Sequence, residues 1–403
     1  MNNCKIAIAG IGVVGTNVLE YIINEQEYLT INCNNIKPVV TEISSRTERK
    51  YKDIKWHNNP LDLLKNESTD VIIELIGGAD GIAYDLVLQA LKLGKKVITA
   101  NKALIAKHGT ELFEIAKKNN TCLYFEAAVA GAVPIIKTLH DNLSGNKISE
   151  IYGILNGTCN FILSEMSKKD VTFAEVLKIA QEKGFAEADP TLDIEGIDAA
   201  HKIAILSAIA FNTEINFSSV EIKGIKNISK KSFKLAQALD CTIKLLAKSS
   251  LHNKQISHYV RPFMVSNNHP ISSVNAALNS VYIKSDLALD TILTGHGAGG
   301  LPTASSVIAN ICDITRNNQQ FFPNINNYKY INNNITSQKL IIDFKDKVTL
   351  EQCKQVFIAN KILFEEKIIE NINYMIVSTK ENLNYIEKLI AKIDYIGLFE
   401  LYE

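Results

Sequence analysis

Two rhythms of apolar and polar residues divide the chain. In the first third, short apolar runs recur: CKIAIA at 4–9, IKPVVTEI at 36–43, DVIIELIGG at 70–78, KKVITA at 95–100 and TCLYFEAAVAG at 121–131. Stretches with apolar residues at helical spacing lie between them, beginning with TNVLEYII and continuing up to Ala90 and up to Lys118. Buried-type strands alternating with amphipathic helices predict a doubly wound parallel sheet over residues 1–135. From about 134 the rhythm changes. PIIKTLHDNL reads as a helix, KISEIYGILNGTCNFIL as strand, turn and helix start, and TFAEVLKIAQEKG as a helix, followed by one reaching Phe211. Residues 240–265 and 280–288 alternate like antiparallel strands, so 136–299 reads as a separate α+β domain for substrate and oligomer contacts. LPTASSVIANICDI is an amphipathic helix within 300–318, either packed back on the first domain or a plain connector. The asparagine-rich 319–337 reads as a linker, and 338–403 follow the order βαββαβ of a ferredoxin-like sandwich.

Composition narrows the classes. At 403 residues the chain is long for one domain, and 43 basic against 43 acidic residues give no field favouring nucleic acid or anionic membrane. No apolar run approaches the length of a membrane span, and no basic-then-apolar leader opens the chain. Seven cysteines stand singly, with no C-x-x-C pair, which predicts reduced thiols in a cytoplasmic protein.

Candidate chemistry sits at strand ends. After the first strand comes GIGVVG, where Gly10 permits a tight turn, Gly12 lets backbone approach a pyrophosphate, and Gly15 lets helix and strand pack closely. Ile11, Val13 and Val14 complete this dinucleotide-binding loop. The second strand ends in Ser44-Ser45-Arg46 rather than an acid that would bond a ribose 2′-hydroxyl. That favours the 2′-phosphate of NADP over NAD, although Arg46 suits a solvated loop equally. Lys102 follows the fourth strand, where ligands of such sheets sit.

The densest cluster is GFAEADPTLDIEGIDAAHK, Gly184 to Lys202. Six carboxylates lie between Glu182 and Asp198, and Pro190 and Gly196 break any helix before Ile197. Asp198 and Lys202 then share one face of the helix that follows, at the mouth of an apolar core. Such a pair suits proton transfer beside an amine-bearing substrate; a surface ion pair beside a solvated loop is the alternative. A second glycine cluster runs from Gly295 to Gly300.

Set together, GIGVVG, ELIGG, TANKALIA, FEAAVAGAVPII, ILNGTCNFIL and the Gly184–Lys202 stretch closely resemble homoserine dehydrogenase, over nearly residues 1–320. The resemblance implies a Rossmann-type domain and NAD(P)H-dependent interconversion of L-aspartate 4-semialdehyde and L-homoserine. It implies Lys202 as proton donor and acceptor, Asp198 and Glu187 holding the substrate's polar groups, and Lys102 at nicotinamide and substrate. Asp193 either shares that work or shapes the loop. Gly184 and Gly299 match cofactor contacts. Glu126, Val129, Gly131 and Val133 match a loop binding a monovalent cation, sodium. A homodimer or homotetramer is expected. The C-terminal stretch resembles an ACT domain, but DFKDKVTLEQ lacks the usual proline and glycine turn, which argues for dimerisation rather than threonine binding. Two rival readings are a Rossmann oxidoreductase for another semialdehyde and a non-catalytic sensor. No cysteine stands in a nucleophile setting, and Lys102, Glu187, Asp198 and Lys202 are all present, against the first and the second respectively.

Overall fold

The computed structural model describes residues 2–169, 171–317, 325–331, 338–369, 372–379, 381 and 383–402. The N-terminal part runs β1 (Asn3–Ala9), α1 (Val13–Asn24), α2 (Gln26–Asn32), β2 (Lys37–Ser44), β3 (Lys55–His57), β4 (Val71–Glu74), α3 (Ile82–Lys92), β5 (Lys96–Thr99), α4 (Lys102–Lys118) and β6 (Leu123–Tyr124). Its six strands form one parallel sheet in the order β3-β2-β1-β4-β5-β6, the doubly wound arrangement, with its switch point between β1 and β4. Period-two alternation explains why helices cover both faces. Ile6 and Ile8 of β1 join Val18, Leu19 and Ile22 of α1 in one core, while Ala7 and Ala9 face Leu86, Ala90 and Leu104 of α3 and α4.

Three local features depart from the sequence reading. Helix α2 and strand β3 were not expected, because both are short and polar. The run TCLYFEAAVAG yields only two paired strand residues. The chain leaves the sheet where the Glu126 side chain turns inward, accepting from the amides of Ile136 and Lys137 at 2.9 Å each.

The middle part comprises α5 (Ile135–Lys137), continued by a π-helical turn over Thr138–Asn142, then β7 (Ile148–Ile154), α6 (Gly157–Lys168), α7 (Phe173–Glu182), α8 (Thr191–Ile194) and α9 (Ile197–Phe211). It continues with β8 (Glu221–Ile222), α10 (Lys230–Ala238), β9 (Cys241–His252), β10 (Gln255–Ser266), β11 (Leu278–Ser285), β12 (Asp290–His296) and α11 (Gly300–Thr315). Strands β12-β11-β7-β9-β10 pair antiparallel. The turn between β9 and β10 places Asn253 and Lys254 both at positive φ, as a tight hairpin requires. The acidic stretch contains the single turn α8 where only loop was expected. The first two residues of the second glycine cluster belong to β12, and α10 was not read from the pattern. Helix α11 does pack back: Val307, Ile311 and Ile314 enter the core formed by β1 and α1.

Of the expected linker, 319–324 and 332–337 lie outside the described residues. Its middle is anchored, with β13 (Lys329–Tyr330) pairing along β10. The C-terminal part has the expected order: β14 (Gln338–Phe344), α12 (Lys347–Ala359), β15 (Leu363–Ile369), β16 (Ile372–Thr379), α13 (Leu383–Ile390) and β17 (Tyr395–Tyr402). Strands β17-β14-β16-β15 form an antiparallel sheet, the ferredoxin-like topology. Parallel pairing of β17 with Phe263–Val265 of β10 joins it to the middle sheet, giving eleven strands.

Asp343, on β14, is buried against α10 and accepts from Ser232 Oγ at 3.0 Å. Burial raises its carboxyl from 3.8 to about 6, against the opposing hydrogen bonds. The folded state therefore holds a proton that the unfolded chain has released. The resulting stabilisation is full below 3.8 and is lost as pH rises to about 6. The expected loss is roughly 3 kcal/mol. Urea unfolding across this window should show the decline, and Asp343→Asn should flatten it.

Candidate active site

Three chain segments meet beyond the C-terminal ends of the parallel strands. At the switch point, Gly10 N–H bonds Ser44 O at 2.9 Å and Leu75 N–H bonds Ala9 O at 2.8 Å. A Cβ on Gly15 would lie 2.0 Å from Gly10 O, so only glycine lets α1 start this close to the strand. At Gly12 the opposite holds, since a Cβ there meets nothing within 4 Å. Gly12 also caps α1 without a side-chain acceptor, so the helix N-terminus presents its amides to open space. Such a cradle fits a dinucleotide pyrophosphate. Across the switch point, Glu74 is wholly buried. Its carboxylate accepts from Ile76 N at 2.7 Å, Gly77 N at 3.0 Å and Thr99 Oγ1 at 2.5 Å, fixing the loop 75–78. Asn101 ties that loop to the start of α4 through Nδ2 to Gly78 O at 2.6 Å and caps the helix through Leu104 N at 3.1 Å. Lys102 is the first residue of α4 and is thereby aimed.

It meets α9. Asp198 Oδ1 lies 2.9 Å from Lys102 Nζ, and Oδ2 lies 2.7 Å from Lys202 Nζ. Asp198 and Lys202 are buried, at 5% and 7% exposure, which removes the surface-pair alternative. Burial alone would raise the Asp198 carboxyl. The Lys202 and Lys102 ammonium groups overcome it and hold Asp198 well below the usual carboxylate range. The same attraction, against the cost of burial, raises Lys102, with Asp193 and Glu187 adding to it. Lys202 also donates to Leu155 O at 2.7 Å.

Glu187 is exposed and Asp193 is partly buried. Burial, reinforced by Asp198, raises Asp193, opposed by a hydrogen bond from Asn156. Asn156 was read from sequence only as a turn residue. Its Nδ2 bridges Asp193 Oδ1 at 2.7 Å and Asp198 Oδ2 at 2.9 Å, while its Oδ1 caps α6 through Cys159 N at 2.8 Å. Asn279 was missed as well; its Nδ2 shares Leu155 O with Lys202, at 3.1 Å. An asparagine before G-T at a helix start is a cap signature, but its second bond depends on the fold. Cys159 is buried and donates to Asp193 O at 3.1 Å, a packing role.

The second glycine cluster reaches the cofactor loop. Gly300 packs on α1, where a Cβ would lie 2.5 Å from Asn17 Nδ2, and Gly299 caps α11 at φ +116°. Behind it, Ala132 N–H bonds His296 O at 3.0 Å and Ser306 Oγ donates to Gly131 O at 2.6 Å. The segment 126–133 is thus clamped between α11 and β12. Glu126 is buried there, and burial pushes its carboxyl up to about 7. Gly184, at φ +72°, and Arg46 are both exposed and form no part of this cluster. A 660 Å³ cavity between α4, the π-helical turn and the C-terminal half of α9 contains none of these groups.

A doubly wound sheet with a glycine cradle, facing a buried lysine–carboxylate–lysine cluster, defines a dinucleotide-dependent oxidoreductase. Comparison with known proteins makes it particular. A family model described as homoserine dehydrogenase matches residues 134–312, and one described as homoserine dehydrogenase, NAD binding domain, matches 10–126. Homoserine dehydrogenase of Neisseria gonorrhoeae is 41% identical over 320 residues, spanning 78% of this chain and 73% of that one. The crystal structure of a homoserine dehydrogenase from Thiobacillus denitrificans superposes with a TM-score of 0.91 at 32% identity, covering 100% of this chain and 99% of that one. A hyperthermophilic archaeal homoserine dehydrogenase mutant, in complex with NADPH, gives 0.68 at 27% identity, covering 79% and 99%. The chain belongs to the homoserine dehydrogenase family.

Proposed function

We propose that Lys202 is the general acid and base in the interconversion of L-aspartate 4-semialdehyde and L-homoserine. One observation carries this reading. An ammonium has three N–H donors, and two of those on Lys202 go to Asp198 Oδ2 and Leu155 O. Among the described residues the third has no partner, and it can meet a substrate oxygen. In reduction Lys202 gives its proton to the oxygen that was the carbonyl; in oxidation the neutral amine takes the hydroxyl proton. A bound nicotinamide supplies or accepts the hydride. Lys102, kept protonated by Asp198, offers a fixed positive charge to the substrate, and Glu187 and Asp193 supply the carboxylates for its ammonium group.

The cofactor reading favours NADP, contacted by Gly10 to Gly15, Arg46, Lys102, Gly184 and Gly299. Glu42 is the acid nearest the end of β2, and it is already engaged by His57 Nε2 at 2.9 Å and Asn66 Nδ2 at 2.7 Å. That leaves exposed Arg46 to meet a 2′-phosphate, and the archaeal relative in complex with NADPH agrees with this choice. A sodium ion fits the 126–133 loop. Burial disfavours the Glu126 charge that a cation would offset, and carbonyls such as Gly131 O, already accepting one bond, keep a second lone pair. Residues 1–135 with α11 then form the cofactor domain, 136–299 the substrate and oligomer domain, and 338–403 an ACT-like dimerisation module of a cytoplasmic homodimer or homotetramer.

Initial rates of homoserine-dependent reduction of NADP and NAD, with threonine titrated in, test these points. NADP should be the faster cofactor, Arg46→Ala should narrow the difference, and threonine should leave the rate unchanged. Absence of turnover with either cofactor would refute the proposed chemistry. A preference for NAD would refute the role of Arg46.

A further inference from the structure

The seven cysteines stand singly in sequence, yet folding brings two of them into contact. Cys33 caps the C-terminus of α2 and Cys312 lies on α11, 279 positions later, with their sulfurs sharing a hydrogen bond at 3.4 Å. The surrounding contacts hold the two helices in this register. Arg316 Nε donates to Asn32 O at 2.8 Å, and Ile311 and Ile314 are buried in the same core as Leu29 and Cys33. Cys33 is fully buried and Cys312 partly exposed, so a reagent in solution meets Cys312 first.

We propose that Cys33 and Cys312 form a redox-responsive dithiol that closes to a disulfide, stapling α11 to the C-terminal end of α2. The oxidant is a small disulfide such as oxidised glutathione. The thiolate of Cys312 attacks one glutathione sulfur, the S–S bond breaks, and one glutathione leaves as thiolate. Cys33 then attacks Cys312 Sγ in the mixed disulfide and the second glutathione leaves. The protein loses two protons and two electrons, and one oxidised glutathione becomes two reduced ones. The 3.4 Å contact between the two sulfurs keeps Cys33 Sγ within reach of Cys312 Sγ for this second attack.

The staple's position gives it a consequence. Helix α11 touches the glycine cradle through Gly300 and the 126–133 loop through Ser306, so fixing its far end restrains a helix that contacts both.

The test uses the full chain. It is treated with oxidised glutathione at neutral pH, freed of reagent, unfolded and alkylated, with an untreated sample alongside. Five of the seven cysteines should be alkylated after oxidation, and a reducible bond should join the peptides containing Cys33 and Cys312. Seven alkylated cysteines, glutathione retained on Cys312, or a bond between another pair would overturn the proposal. Cys312→Ser should show six alkylated cysteines with or without oxidant; loss of two under oxidation would also overturn it. If that variant does not fold, the peptide map of the unaltered chain decides alone.

Discussion

Lys202→Ala should lower turnover by about 10³-fold or more in both directions, the range lost when a positioned general acid is removed. Dinucleotide affinity should stay within about twofold, because the Gly12 cradle lies on β1 and α1 and owes nothing to α9 for its shape. The fold should survive. Asp198 is left with its 2.9 Å contact to Lys102 and its bond from Asn156, so no buried charge is stranded. Lys202→Arg should not restore activity, since a guanidinium keeps the charge but cannot exchange its proton near neutral pH. Steady-state rates, dinucleotide titration and urea unfolding on both variants check this. Lost dinucleotide affinity at normal stability would show that Lys202 serves binding instead.

The parts of this site that were legible in the sequence are those set by local spacing. Glycine spacing after an apolar run defines the cradle, and the four-residue offset of Asp198 and Lys202 puts them on one helical face. The order βαββαβ is likewise local, because each element is long and strongly patterned. What was not legible depends on where distant segments meet. Lys102 and Lys202 are a hundred positions apart, and no period in either helix says that one carboxylate takes both. Asn156 caps a helix by a rule visible in sequence, but its bridge to Asp193 and Asp198 exists only because β7 ends beside α9. The contact between Cys33 and Cys312 is of the same kind. Short elements failed for another reason. Strand β3 and helix α8, of three and four residues, carry too little pattern to stand out and are held by their neighbours.

The second large effect is expected at Asp198. Asp198→Asn keeps the shape and removes the charge, leaving the buried Lys202 ammonium and the part-exposed Lys102 ammonium with no counter-ion between them. Breaking a buried pair in this way costs about 3–5 kcal/mol, much of it the stranded charge. Here Lys202 is the stranded cation, while Lys102, with 40% of its side chain exposed, keeps water around its ammonium. Lys102 is the group whose proton Asp198 chiefly secures. Asp198→Asn should therefore lose both stability and turnover, the latter by about 10²-fold or more. The sign of the pH dependence follows from the depressed Asp198 carboxyl. Its contribution is fully present above the unfolded value of 3.8 and is lost only as pH falls through the lower folded value. The stability difference between Asp198→Asn and the parent should accordingly be flat across neutral pH and shrink only in acid. Asp193→Asn is the control for the stability profile alone, its carboxylate being assigned to the substrate: that carboxyl is raised by burial and contacts neither lysine within ion-pair distance among the described residues. Urea unfolding from acid to neutral pH, with rates on the same samples, separates the two. Parent-like stability and turnover in Asp198→Asn would mean that the lysines are held by the backbone carbonyl and helix geometry alone, and that the shared carboxylate is not the centre of the site.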